Sequence, residues 1–297
     1  VKVRFAVSLD AGSVGPDHLA ALVMGAEERG FDTLWFADLP LVNAADPTLA
    51  VAFAAGLSRR LKLGVDLVPF GRESFVVARQ LAQLDQLTDG RLLVTVVPGL
   101  DLPGERAALG VAGRDRGRLL DSLLPELRTW WAGSAVTVGK GEASAEVTLP
   151  VLPRQDPLEI WLGGHGPQAV RRAGRLADGW LGSGGALGPR EAGERCRRIK
   201  EEAAAVGREI DPEHFGLSIR YARDPHDLSS PGIRPIPSAP DRGSAPAPPI
   251  GAGALRDLVG ELVEEGMSKF VVRRAAPVAS WPDELDWLAN AVLDLQT

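Results

Sequence analysis

Eight times along its 297 residues the chain follows a short apolar, β-rich run with a stretch whose apolar residues recur at helical spacing. The first half carries VRFAVSL then DHLAALVMGAEERG, TLWFADL then PTLAVAFAAGLS, LKLGVDLVP then SFVVARQLAQLDQLT, and RLLVTVVPG then RGRLLDSLLPELRTWW. The second half repeats the rhythm with LEIWLGG and PQAVRRAGRLA, GWLGSGG and PREAGERCRRIKEEAAAVG, FGLSIRYARD and ALRDLVGELVEEG, and KFVVRRAAP and PDELDWLANAVLDLQ. Runs that are apolar along their whole length, each followed by a helix, imply a parallel sheet covered on its outer face. Eight such units favour a closed (β/α)8 TIM barrel, because an open sheet leaves two edges to protect. The rival is a doubly wound sheet split into two domains, which needs a linker near the middle that this chain lacks. The expectation is an α/β chain with one domain over 1–297. A hairpin-like insertion covers 134–157. A proline-rich loop covers 224–251, where Pro225, Pro231, Pro235, Pro237, Pro240, Pro246, Pro248 and Pro249 exclude a helix or central strand. That loop follows the seventh strand, so it belongs to the C-terminal rim, either as a lid or as a disordered segment.

Composition narrows the partners. A hydrophobic content of 45% is that of a well-packed globular protein, and the formal net charge is -6 with the 33 Lys and Arg scattered. Neither a nucleic-acid surface nor a polybasic membrane anchor fits, so a small-molecule substrate is expected. The single cysteine, Cys196, allows no disulfide framework and no cysteine metal cluster within one chain, and reads as an ordinary helix residue in a reducing cytosol. The chain opens on no basic-then-apolar leader, and no apolar run approaches the roughly 18 residues that span a bilayer. The expected location is the cytoplasm.

Barrel chemistry is sought at the C-terminal ends of the strands. The second strand ends in Asp38-Leu39, the third in Asp66-Leu67, and the fourth in Pro98-Gly99-Leu100-Asp101. The fifth ends in Gly163-Gly164-His165-Gly166 and the sixth in Gly182-Ser183-Gly184-Gly185. Arg220, Tyr221 and Arg223 end the seventh, and Arg273 and Arg274 the eighth. Asp38 and Asp66 come from neighbouring strands, where they either face one ligand's ring N–H and hydroxyl groups or serve as rim salt bridges and helix caps. In IWLGGHGPQAV an apolar strand stops at glycines and Pro167 opens a helix. Such bare backbone either makes a tight turn only or lets peptide N–H groups approach an anion. Adjacent strand residues point opposite ways, so one arginine of each pair at most faces the pocket. His18, His165, His214 and His226 are far apart in sequence and none has a second ligand at helical spacing, so no metal site is expected. Ser183 lacks the strand-nucleophile-helix context of a hydrolase elbow.

AEERGFDTLWFAD, ARQLAQLDQLTDGRLLV, GERAALGV followed by RGRLLDSLL, and IWLGGHGPQAVRRAGRLADGW, in this order, resemble the luciferase-like monooxygenase superfamily. The Ala-, Arg- and Gly-rich style and LGVDLVPFGRES resemble its F420-dependent oxidoreductase branch. The resemblance implies a bacterial-luciferase type TIM barrel that uses the deazaflavin F420, or alternatively FMN, to move a hydride to or from a small organic substrate. It implies a phosphate turn at Gly163, Gly164, His165 and Gly166 with Ser183 and Gly184 beside it. Asp38, Asp66, Leu67, Pro98 and Gly99 fall near the ring, and Asp38 and Glu105 are the candidates for substrate contact or proton transfer. It further implies a non-prolyl cis peptide at Asp66–Leu67 and a homodimer or larger homo-oligomer. Three residues depart from the pattern. Leu39 stands where relatives carry a histidine, and Thr95 and Val97 stand where relatives carry glycines, which narrows the ring's seat. An FMN-dependent monooxygenase and a non-catalytic ligand-binding barrel are the alternatives.

Overall fold

The computed structural model describes residues 2–9, 15–139, 141–229 and 246–297. Eight parallel strands close into one barrel: β1 Arg4–Ser8, β2 Thr33–Ala37, β3 Lys62–Leu67, β4 Leu92–Val96, β7 Ile160–Gly163, β8 Gly179–Ser183, β9 Phe215–Tyr221 and β10 Lys269–Arg274. Each neighbours the next around the ring, and β10 closes on β1 with Arg4 opposite Lys269 and Val7 opposite Val272. The strands pair in the order in which the eight apolar runs occur, so the TIM-barrel expectation holds. The remaining two strands, β5 Val136–Val138 and β6 Ala145–Val147, form an antiparallel pair outside the barrel.

The helices are α1 Pro16–Arg29, α2 Pro47–Leu57, α3 Ser74–Leu87, α4 Glu105–Ala108, α5 Arg116–Trp131, α6 Pro167–Leu176, α7 Pro189–Ala204, α8 Gly251–Glu264 and α9 Trp281–Val292. Local sequence starts them where strand ends require it. Asp46 accepts hydrogen bonds from the Thr48 and Leu49 N–H groups to open α2, and Asp115 does the same for α5 through Gly117 and Arg118. Pro167 and Pro189 sit at first-turn positions, where a missing N–H costs nothing. In the proline-rich stretch, residues 230–245 lie outside the described residues. Contrary to the expectation of no helix there, Pro225–Leu228 forms a short 3-10 turn, capped by Asp224 accepting from the His226 N–H, and Gly251 already begins α8.

Two apolar layers follow from the period of two along each strand. Residues facing outward join the helices in the main core, while Ala6, Trp35, Trp161, Leu181 and Val271 fill the barrel lumen. Both luminal indoles need a glycine beside them. A Cβ on Gly64 would lie 2.3 Å from the Trp35 ring, and one on Gly179 2.5 Å from Trp161. Cys196 is buried on α7, 3.9 Å from the Met267 sulfur, and burial pushes its thiol up to about 12, so it is inert at neutral pH. No helix among the described residues is long and apolar enough to cross a membrane.

Candidate active site

The mouth of the barrel is built unevenly. On one side β2 and β3 bring two carboxylates together. Asp38 is buried, and its Oδ2 accepts from the Val68 N–H at 3.1 Å. Burial raises its carboxyl above the ordinary value, with the charges of Asp46 and Glu105 adding to the rise against the pull of the Val68 N–H and Arg72. Asp66 lies inward on β3, where its Oδ1 accepts from the Trp35 indole N–H at 2.9 Å. Burial pushes this carboxyl up to about 6, although the indole and the Arg273 cation favour its ionised form. Beside it in register on β4 stands Thr95, whose buried hydroxyl has no hydrogen-bond partner among the described residues.

Across the mouth the wall is bare backbone. Gly163 ends β7 against Val97, and a Cβ there would meet Val97 Cγ1 at 2.6 Å. Gly164 turns the chain with φ +103°, and its carbonyl accepts from the Trp180 indole at 2.7 Å. The His165 carbonyl accepts from Arg195 at 3.1 Å. Gly166 is the N-cap of α6 with no side-chain cap, and a Cβ there would meet nothing within 4 Å. The first turn of α6 therefore offers uncapped N–H groups beside open space, the arrangement that takes an anion. Ser183 is exposed at the end of β8, and the Gly184 N–H donates to the Ser218 carbonyl at 2.7 Å, which fixes the second glycine turn next to the first.

Several sequence expectations change here. The Asp66–Leu67 bond is trans; the cis bond among the described residues is Asp156–Pro157. The β3 ladder runs unbroken, with Asp66 opposite Ala37 and Thr95, Leu67 opposite Val96, and the Asp66 and Leu67 carbonyls accepting from Asp38 and Val97, so no bulge forms behind the mouth. Leu67 alternates with Asp66, which turns its side chain out into the helix layer, 1% exposed, and away from the lumen. Pro98 and Gly99 form a turn over Glu105: Gly99 has φ +80°, and a Cβ there would lie 2.3 Å from the Glu105 carboxylate. Glu105 itself anchors that loop, its Oε1 accepting from the Asp101 N–H at 3.1 Å and pairing with Arg116 at 3.3 Å. Its Oε2 is buried without a partner among the described residues. The arginine pairs divide as strand alternation requires. Arg273 acts on Asp66 inside, while Arg274 turns outward to Asp227 and Glu284, joined there by Arg223. Sequence reasoning missed Trp35. Its signal was a tryptophan two residues before the end of β2 facing a glycine two residues before Asp66.

The phosphate end of the mouth fits an anionic cofactor: two glycine turns, one of them uncapped and open. The ring end is narrower than the resemblance implies, because Val97 packs over Gly163 and no bulge forms on β3.

A family model described as luciferase-like monooxygenase matches residues 1–227. An F420-dependent glucose-6-phosphate dehydrogenase of Nakamurella multipartita is 30% identical over 226 residues, 70% of this chain and 64% of that protein. The chain spans 46–64% of the length of such curated relatives. Among solved structures, an F420-dependent secondary alcohol dehydrogenase in complex with an F420-acetone adduct superposes with a TM-score of 0.78 at 17% identity, covering 100% of both chains. The oxygenating constituent of 3,6-diketocamphane monooxygenase from Pseudomonas putida, in complex with FMN, superposes with a TM-score of 0.75 at 14% identity, covering 100% of this chain and 99% of that one. By the reach of the family model and the closed barrel beneath it, the chain belongs to the luciferase-like monooxygenase family.

Proposed function

We propose that this protein is an F420-dependent oxidoreductase that moves a hydride between the deazaflavin and a small organic substrate. The observation that carries the reading is one mouth holding both an uncapped glycine turn and, across from it, two carboxylates raised by burial. The relative of Nakamurella multipartita, F420-dependent by name, supports it. When bound, the deazaflavin supplies the hydride. The turn from Gly163 to Gly166 and the first turn of α6 would hold the phosphate, and the Asp38 side of the mouth would face the ring. Asp38 Oδ2 is engaged by Val68 and Asp66 Oδ1 by Trp35, which leaves Asp38 Oδ1 and Asp66 Oδ2 to carry a proton. A group whose proton affinity lies near the working pH is the useful acid or base, and Asp66 meets that condition at about 6. Leu39 can neither donate nor accept, so proton transfer in this chain falls to the carboxylates.

FMN is the second reading, favoured by the trans Asp66–Leu67 bond, since the bulge implied for the F420 branch is missing. Cytoplasmic location remains part of the proposal, as does a homodimer. Leu49, Phe53 and Leu57, at intervals of four along α2, leave an exposed apolar stripe suited to a second copy, and light scattering would give the mass. The deciding experiment is a fluorescence titration of the purified protein with F420 and, separately, FMN. Selective F420 binding is the expected result. Selective FMN binding would transfer the reading to an FMN-dependent monooxygenase, and binding of neither would remove the enzyme reading in favour of a non-catalytic barrel.

A further inference from the structure

We propose that the floor of the barrel, at the opposite end from the mouth, is a second binding site, for a small phosphate-type anion carrying more than one negative charge. A cavity of about 310 Å³ opens there, lined by Lys2, Arg4, Lys62, Arg91, Lys269 and His214. Five cationic side chains meet two carboxylates on the wall, Glu159 and Glu213, with Asp32 beside them and Glu27 and Asp89 acting on Arg91 from farther out, in a chain whose formal net charge is -6. Asp32 is shared three ways, with Lys269 and Arg4 each at 3.5 Å and Lys62 at 3.8 Å, while its Oδ2 already accepts from the Thr33 hydroxyl at 2.6 Å. Lys2 stands 3.7 Å from Glu213. By contrast, Arg29 and Asp286 on the outer surface close to 2.7 Å. Arg91 pairs with no carboxylate among the described residues and spends its donors on the Leu61 and Ser58 carbonyls.

Cations gathered in a half-buried cavity repel one another and lose hydration unless acceptors answer them. The strain registers on Lys269, whose ammonium is pulled by burial to about 8, against the attraction of Asp32 and with Lys62 and Arg4 adding to the fall. A carboxylate brings two oxygens. A phosphoryl group brings three with greater charge, and matches lysine and arginine donors converging from separate strands. The cavity volume sits at the lower end of small-ligand pockets, which suits a pyrophosphate-sized anion. This inference is independent of the reading of the mouth.

The test is calorimetric titration of the full chain with inorganic pyrophosphate at constant ionic strength, with sodium chloride as the ionic control. Wild type should bind saturably, and Lys62→Gln, an exposed position, should weaken binding about 10-fold, the worth of one charge-assisted hydrogen bond. Arg4→Ala should weaken it at least as much, and its thermal unfolding reports whether β1 stays intact. Gly164→Val, which crowds the turn at the mouth, should remove any binding there and leave the Lys62-sensitive binding in place. Absence of saturable binding would overturn the site. So would binding matched by chloride, or binding lost in Gly164→Val yet intact in Lys62→Gln.

Discussion

Two tryptophans share the lumen of this barrel and do different work. Trp35 and Trp161 each lean over a glycine of the next strand, but their indole N–H groups face opposite ends. Trp35 donates toward the mouth, to Asp66 at 2.9 Å; Trp161 reaches toward the floor, to Glu159 at 3.5 Å. The short contact holds an inward carboxylate whose other oxygen remains uncommitted, whereas the long one barely constrains an acid that also lies 3.6 Å from His214. The mouth is thus a region of buried acids with raised proton affinity, and the floor a region of crowded cations. One scaffold, filled by the same residue type at both ends, separates two kinds of electrostatic environment by about the height of its strands.

Removing the indoles tests that difference most severely. Trp35→Ala should cost about 3–5 kcal/mol, the range for a fully buried large aromatic. It also strips Asp66 of its donor. Trp161→Ala should cost less, because Trp161 borders an open cavity and loses only a long hydrogen bond. Urea unfolding of both variants checks this, and equal losses would mean that the Asp66 contact contributes nothing beyond packing.

The barrel was legible because an apolar, β-rich run and a helical period alternate in each of the eight units, and the strands pair in that order. The rim carboxylates were legible too, since a charged residue ending an apolar strand has few places to go. Two things were not legible. The geometry of the Asp66–Leu67 bond depends on whether the flanking ladders stay in register, which is a property of β2 and β4 as much as of β3. The floor cluster draws Lys2, Arg4, Asp32, Lys62 and Lys269 from distant points of the chain: the β1–β2–β3 pairings gather Arg4, Asp32 and Lys62, and barrel closure between β1 and β10 adds Lys269. Glu105 shows the intermediate case: its burial follows from Arg116 and the turn at Gly99, neither of which marks it in the sequence.

A smaller effect separates the ends by pH. The folded protein holds the Asp66 proton more tightly than an unfolded chain, with a carboxyl at about 6 against an ordinary 3.8. Its contribution to stability is therefore fully present below pH 3.8 and is lost as pH rises through about 6. Asp66→Asn removes that penalty and should stabilise the protein by about 1–3 kcal/mol at pH 7, with no gain near pH 3.5. Denaturant midpoints measured at the two values decide it. A variant that is destabilised at pH 7 would show that the ionised carboxylate forms a stronger bond with Trp35 or Arg273 than burial costs.

At the floor the slope reverses. Lys269 has its ammonium lowered to about 8 from an ordinary 10.5, so in that interval the unfolded chain binds more protons than the folded one. Stability from this group consequently rises with pH between about 8 and 10.5, and the full penalty applies below 8. Lys269→Met should erase the alkaline rise while changing stability at pH 7 by no more than about 1–2 kcal/mol, since Asp32 keeps Lys62 and Arg4 as partners. Comparing wild type and variant at pH 7, 8.5 and 10 isolates the slope from the offset. If the variant still gains stability toward pH 10, the alkaline slope does not originate in Lys269, and the crowding of cations at the floor is not what sets it.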